Sequence, residues 1–224
     1  MTDSLPQARR GRPKDGAKRD AIAATATALF SELSFEEVTM ELVAARAGVS
    51  KVTVYGHFGD KETLFETVMV AVSDRIMSEA AWTRGDDLPL SQRLTEIGIA
   101  FLTTILGPYG RMMVRTLSVA LRGNASLASR FYDAGPGRTR AALANAIAEA
   151  MEKGLLAPGS ATLAAEDLTS LWEGSLMVRV SFGLAEPVSR AEIERRAAHG
   201  TAVFLRAYRP SDDRSHATPA LSPN

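Results

Sequence analysis

The chain has 224 residues, 46% of them hydrophobic, with 26 basic and 26 acidic side chains and no cysteine. That length allows one or two domains; the absence of cysteine excludes disulfides and thiolate metal sites. Net neutrality rules out a whole-chain basic excess as an argument for nucleic acid, so the distribution of charge has to carry any such argument. No apolar run approaches the ~20 residues of a membrane span. The polar, basic N-terminus has no apolar stretch of the kind a secretion signal needs. A soluble cytoplasmic protein with no membrane partner is the expectation. Frequent alanine and leucine with few β-branched runs favour an all-helical fold.

Residues 1–16 carry Pro6, Gly11, Pro13 and Gly16 without apolar periodicity, which predicts a flexible arm. Arg9, Arg10, Arg12, Lys14, Lys18 and Arg19 crowd residues 9–19 against Asp15 alone, so the arm is basic. A first helix is predicted over 17–33, with Ile22, Ala26, Leu29, Phe30 and Leu33 at helical spacing. Thr39 suits an N-cap for a short helix over 40–47, which Gly48 ends. Ser50 caps a third helix over 51–57, and Asp60 a fourth carrying Leu64, Phe65, Val68, Val72 and Ile76 inward. After a break at 82–87, longer helices are predicted over 90–106, 109–121, 126–153, 162–182 and 190–208. Gly135-Pro136-Gly137 interrupts or kinks the third of these. The tail at 210–224 is rich in Ser, Asp and Pro and is expected to be disordered. The organisation is thus an arm (1–16), a small helical domain (17–77), a helical bundle (78–209) and the tail.

The stretch from Thr39 to Phe65 is the most informative. In its second helix Val54 and Phe58 are four apart and point one way, leaving Lys51, Val52, Thr53, Tyr55 and His57 for the other surface. A short helix supported from behind, with a small polar face in front, suits a DNA major groove.

Leu29-Phe30, Phe35, Thr39, Val43-Ala44, Ala47-Gly48-Val49-Ser50, Thr53, Tyr55, Phe58, Lys61-Glu62 and Leu64-Phe65, in this order and spacing, resemble the TetR/AcrR family of bacterial transcription regulators. The segment with Met112, Met113 and Trp172 is similar to the AefR-like type of C-terminal domain. The resemblance implies a three-helix helix-turn-helix domain followed by a helical effector-binding and dimerisation bundle. It implies a homodimer on double-stranded, palindromic operator DNA, released by a small molecule. By motif position, Thr39, Tyr55 and Lys61 match phosphate-contacting residues, and Lys51, Val52, Thr53 and His57 lie where base and backbone contacts fall. Ser34 stands where glycine is usual, and Val52 where glycine or alanine is frequent; the valine methyls could meet a thymine methyl. The Arg10-Gly11-Arg12-Pro13-Lys14 segment is common in the family. In extended form it resembles a minor-groove-binding hook, which puts Arg10, Arg12 and Lys14 on DNA.

Other readings are weaker. His57, His199 and His216 are scattered, so no metal site is expected. Asp133 to Thr139 lacks the second half of a phosphate loop, and no Ser, His and Asp set suggests hydrolysis. No catalytic residue or cofactor is therefore expected, and an enzyme is the remote alternative. In the bundle, Phe101, Ile105, Met112, Met113, Leu117, Phe131, Trp172 and Leu176 are the candidates for a pocket that takes an apolar or amphipathic effector. The rival is a DNA-binding dimer without an effector, or an activator. Leu168, Leu171, Trp172 and Ser175, with Ile193, Ala197, Gly200, Thr201 and Phe204, form the stripes expected at the dimer interface.

Overall fold

The computed structural model describes residues 14–79, 88–110, 112, 124–184 and 188–210, and every regular element among them is helical. The expected all-α architecture holds. Four helices come first: α1 (Lys14–Glu32), α2 (Met40–Ala47), α3 (Lys51–Phe58) and α4 (Lys61–Glu79). Then follow α5 (Leu90–Leu106), α6 (Ala125–Tyr132), α7 (Arg138–Glu152), α8 (Ala161–Glu173), α9 (Leu176–Ser181) and α10 (Arg190–Ala207). Most of the helix predicted over 109–121, and the tail from 211, lie outside the described residues.

Two cores organise these helices. The first gathers Ile22, Leu29 and Phe30 of α1, Val43 of α2, Val54 and Phe58 of α3, and Leu64, Phe65 and Val68 of α4. The second joins Leu94, Ile97 and Leu102 of α5 to Leu143 and Ile147 of α7, Leu168 and Trp172 of α8, and Phe204 of α10. The first core also takes in Met112, Phe131 and Ala134 from far along the chain. Phe131 packs 4.5 Å from Phe65 and 5.7 Å from Phe35, centroid to centroid. These tilted and edge contacts lie within the favourable range of ring separations, and they fasten α6 to the first four helices.

Several differences from the sequence-based expectation have local causes. Helix α1 starts at Lys14 rather than 17. The turn with Ser34 in place of glycine needs no left-handed residue. It closes instead through Glu37, whose Oε2 accepts from both the N–H and the hydroxyl of Ser34 at 2.8 Å. The helix predicted over 162–182 breaks at Gly174, where φ is 51° and ψ is −127°. The Gly-Pro-Gly cluster becomes a π turn, Asp133–Gly137, with Pro136 inside it. Proline has no N–H to continue an α-helical ladder, and the wider turn exposes carbonyls that side chains take up. Ser73 Oγ of α4 donates to Gly135 O at 3.0 Å.

The stripes assigned to a dimer interface are corrected most sharply. Leu168, Trp172, Ile193, Ala197, Thr201 and Phe204 are buried inside the subunit. Trp172 fills a slot between two glycines: an added Cβ would lie 2.7 Å from the ring at Gly98 and 2.8 Å from it at Gly200. Its indole Nε1 donates to Thr201 Oγ1 at 3.1 Å. Helical periodicity marks these residues as buried but is silent on what buries them. Here α5 does so, not a second subunit.

Candidate nucleic-acid interface and ligand cavity

Helices α2 and α3 are set against each other by local chemistry. Thr39 Oγ1 accepts from the Leu42 N–H at 3.1 Å and caps α2. Gly48, at φ 66° and ψ 31°, is left-handed. Val49 N–H then reaches Ala44 O at 3.0 Å, and Gly48 N–H reaches Ala45 O at 3.4 Å. This pair of bonds is a Schellman close, which ends one helix and turns the chain into the next. Ser50 caps α3, accepting from the Thr53 N–H at 3.2 Å, and the two hydroxyls lie 2.8 Å apart.

On α3 the inward residues Val54 and Phe58 are buried. Val52 is 80% exposed and Tyr55 41%, with Lys51 also exposed and Thr53 and His57 half-buried. At 1.5 Å per residue the helix is about 12 Å long, short enough to lie in a major groove of similar width. Lys51 pairs with Glu41 at the start of α2, and its ammonium sits 5.5 Å from the Tyr55 ring centroid. The Glu41 pairing holds the Lys51 ammonium above its usual range and the Glu41 carboxyl below. Nothing in the sequence pattern had singled out Glu41.

Lys61 occupies the first turn of α4, where a cation opposes the helix dipole. Its Nζ donates to Phe35 O at 2.9 Å and lies 4.3 Å from the Phe35 ring centroid, so contacts within the chain offset that cost. Arg10 and Arg12 lie outside the described residues, as does the Lys14 side chain.

The bundle contains a cavity of about 240 Å³ between α4, α5, the π turn, α7 and α9. Phe101 and Ile105, two of the pocket candidates, line it together with Ile76, Pro136 and Met177. Arg140 and Glu173 also face it; sequence reasoning missed both, because charged residues on a helix read as a solvated face. Met112 lines a separate cleft between α1, α4 and the end of α5. Phe131 belongs to the first core, and Trp172 is fixed in its glycine slot. Leu176 is buried but does not line the cavity. Met113 and Leu117 lie outside the described residues.

Three-helix packing, an αL turn between two capped short helices and an exposed α3 face define a helix-turn-helix DNA-binding regulator. Residues 22–68 match the tetR family of bacterial regulatory proteins, and residues 92–210 match the AefR-like transcriptional repressor, C-terminal domain. The second match alone spans more than half of the chain. The chain belongs to the TetR family of transcriptional regulators, with a C-terminal domain of the AefR-like type.

A TetR-family transcriptional regulator from Mesorhizobium loti is similar in structure, with a TM-score of 0.75 and 28% identity over 88% of this chain and 99% of its own. The flavonoid-responsive regulator FrrA gives a TM-score of 0.66 and 30% identity over the same shares of the two chains. The HTH-type transcriptional regulator YdeS of Bacillus subtilis is 35% identical over 71 residues, which cover 31% of this chain and 36% of YdeS. The match to YhgD of the same organism, 28% identical over 85 residues, covers 44% of that protein. Both matches therefore span less than half of the curated relatives' length.

The Glu41–Lys51 pair leads to a first prediction. A phosphate approaching Lys51 must compete with Glu41 and meets its negative charge. Glu41→Gln removes both obstacles while leaving the exposed site folded. Affinity for specific and for random DNA should rise together, several-fold at low salt, and the gain should shrink as salt screens it. Unchanged affinity in a salt titration would remove Lys51 from the DNA-contacting set.

Proposed function

We propose that this DNA-binding regulator is a ligand-responsive repressor: a homodimer that holds a palindromic operator and lets go when a small molecule enters the bundle. The observation that supports it most is the juxtaposition of an exposed α3 face with a bundle cavity whose wall is also the clamp on α4. In this reading residues 17–77 form the DNA-binding domain and 78–209 the effector and dimerisation domain. Thr39, Tyr55 and Lys61 contact phosphates. Lys51, Val52, Thr53 and His57 face base edges and backbone, and Arg10, Arg12 and Lys14 follow the minor groove. The dimer forms through the outer face of α8 and α10, where Leu171, Ala198 and Ala202 are exposed.

Helix α4 carries the signal. Arg130 pairs with Glu66 at 2.7 Å and Arg138 with Asp74 at 2.8 Å. Exposed ion pairs of this kind contribute little, so buried contacts dominate the linkage. These are Phe65 on Phe131, the Ser73 bond to Gly135, and Met69, whose Cε lies 2.3 Å from where a Gly135 Cβ would stand. The π turn, which makes the last two of these contacts, also lines the cavity through Gly135 and Pro136. A ligand that moves the turn therefore moves α4, and with it the spacing of the two α3 helices. A coupling of ~1–3 kcal/mol is enough to change operator affinity about 5–150-fold. The response of FrrA to flavonoids supports a small-molecule effector here.

Selection of bound DNA from a random pool, followed by a small-molecule release screen on the selected site, tests the proposal. An inverted repeat with half-sites about one helical turn or somewhat more apart is the expected result. Enrichment of single, unrepeated sites would overturn the dimeric reading.

A further inference from the structure

The cavity under the π turn is lined mostly by apolar side chains, with two opposite charges among them. Ile76, Phe101, Ile105 and Met177 supply apolar walls, and Glu173 and Arg140, whose charges interact, complete the lining. Glu173 is half-buried, and among the described residues its carboxylate accepts no hydrogen bond. Burial pushes its carboxyl above the usual range, and the Arg140 charge works in the opposite direction. Arg140 donates from Nη1 to the Tyr132 hydroxyl at 3.2 Å, which uses one of its five donors.

The volume of about 240 Å³ is room for about eight waters at ~30 Å³ each. It lies below the ~300–1,000 Å³ of sites for drug-sized ligands, so its occupant is compact.

We propose that the cavity takes a compact, neutral, hydroxyl-bearing molecule with an aromatic or aliphatic body, a phenol being the simplest case. Its O–H donates to Glu173, and its oxygen accepts from Arg140. The opposed charges in the lining select this class. A cationic ligand meets Arg140, an anionic ligand meets Glu173, and in a partly buried site each like-charge approach is costly. A wholly apolar ligand strips the remaining water from Glu173 and offers nothing in return. A hydroxyl satisfies both groups at once. This deepens the ligand-responsive reading above and rests on it for its biological meaning, but binding is tested without DNA.

The experiment uses the full-length protein and four probes of one shape: para-phenylphenol, its methyl ether, para-phenylbenzoate and para-phenylbenzylammonium. Calorimetric titration should show the phenol binding about tenfold or more tightly than the other three, as expected for a hydrogen bond to a charged group. Glu173→Leu, checked for an unchanged unfolding transition, should bring phenol and ether to equal affinity while the ether binds at least as well as before. If that variant fails to fold, Glu173→Gln, which keeps shape and polarity, should still narrow the phenol-to-ether ratio. Equal binding of phenol and ether to the native protein, a preference for either ion, or no binding by any probe overturns the proposal. Preserved phenol selectivity in the folded Glu173→Leu protein does so as well. Phenol binding that leaves operator affinity unchanged keeps the site and rejects its role as the effector pocket.

Discussion

Trp172→Ala is expected to lower folding stability by about 3–5 kcal/mol, the range for deleting a large buried aromatic side chain. The ring is fully buried, lies 5.9 Å from the Phe101 ring centroid, and is held between Gly98 and Gly200. Neither glycine can extend a side chain into the space left behind, so the site collapses poorly and the cavity penalty is near its maximum. The Thr201 hydroxyl also loses its indole partner. Trp172→Phe keeps much of the volume and isolates the hydrogen bond, at about 1–3 kcal/mol for a buried group left unpaired. Gly98→Ala and Gly200→Ala approach the same ring from either side and should each cost about 1–3 kcal/mol through overpacking. Denaturant unfolding of the four variants checks the set. A loss below 1 kcal/mol in Trp172→Ala would mean that α5 and α10 close over the gap.

The helix-turn-helix was legible almost residue by residue because its boundaries lie in short-range chemistry. Thr39, Ser50 and Asp60 each cap the helix that follows them, and Gly48 takes the left-handed conformation that its place predicts. The Gly-Pro-Gly interruption was legible for the same reason, although its form as a π turn was not. The bundle was read less well because its decisive contacts are long-range. No local pattern brings Phe131 to Phe65, or distinguishes a Trp172 buried by its own α5 from one buried by a second subunit. Glu173 was passed over since a glutamate beside an apolar stripe normally faces water. The available signal was its position between Trp172 and Leu176, both of which turn inward.

That confusion of faces changes how dimerisation must be tested. Phe204 lies inside the subunit, so Phe204→Glu would unfold the protein whether or not α10 meets a partner. Leu171, 37% exposed, and Ala202, also exposed, are the better pair. They belong to helices that touch, since Gly200 of α10 sits against the Leu171 backbone carbonyl. In a free subunit, glutamates at these positions stay hydrated and cost little. In a twofold interface each is desolvated without a partner and meets the symmetry-related copy of the same charge, a combined penalty of several kcal/mol. Leu171→Glu with Ala202→Glu should therefore give a folded monomer. A monomer holds one half-site and loses the advantage of linked binding, roughly a hundred- to ten-thousandfold in operator affinity. Its contact with random DNA should fall much less. Sedimentation, thermal unfolding and operator titration on one sample separate the possibilities. A double variant that remains dimeric puts the interface on another face, such as the exposed Val178 and Phe182 near the end of α9. A folded monomer with undiminished operator affinity would reject the two-half-site mechanism itself.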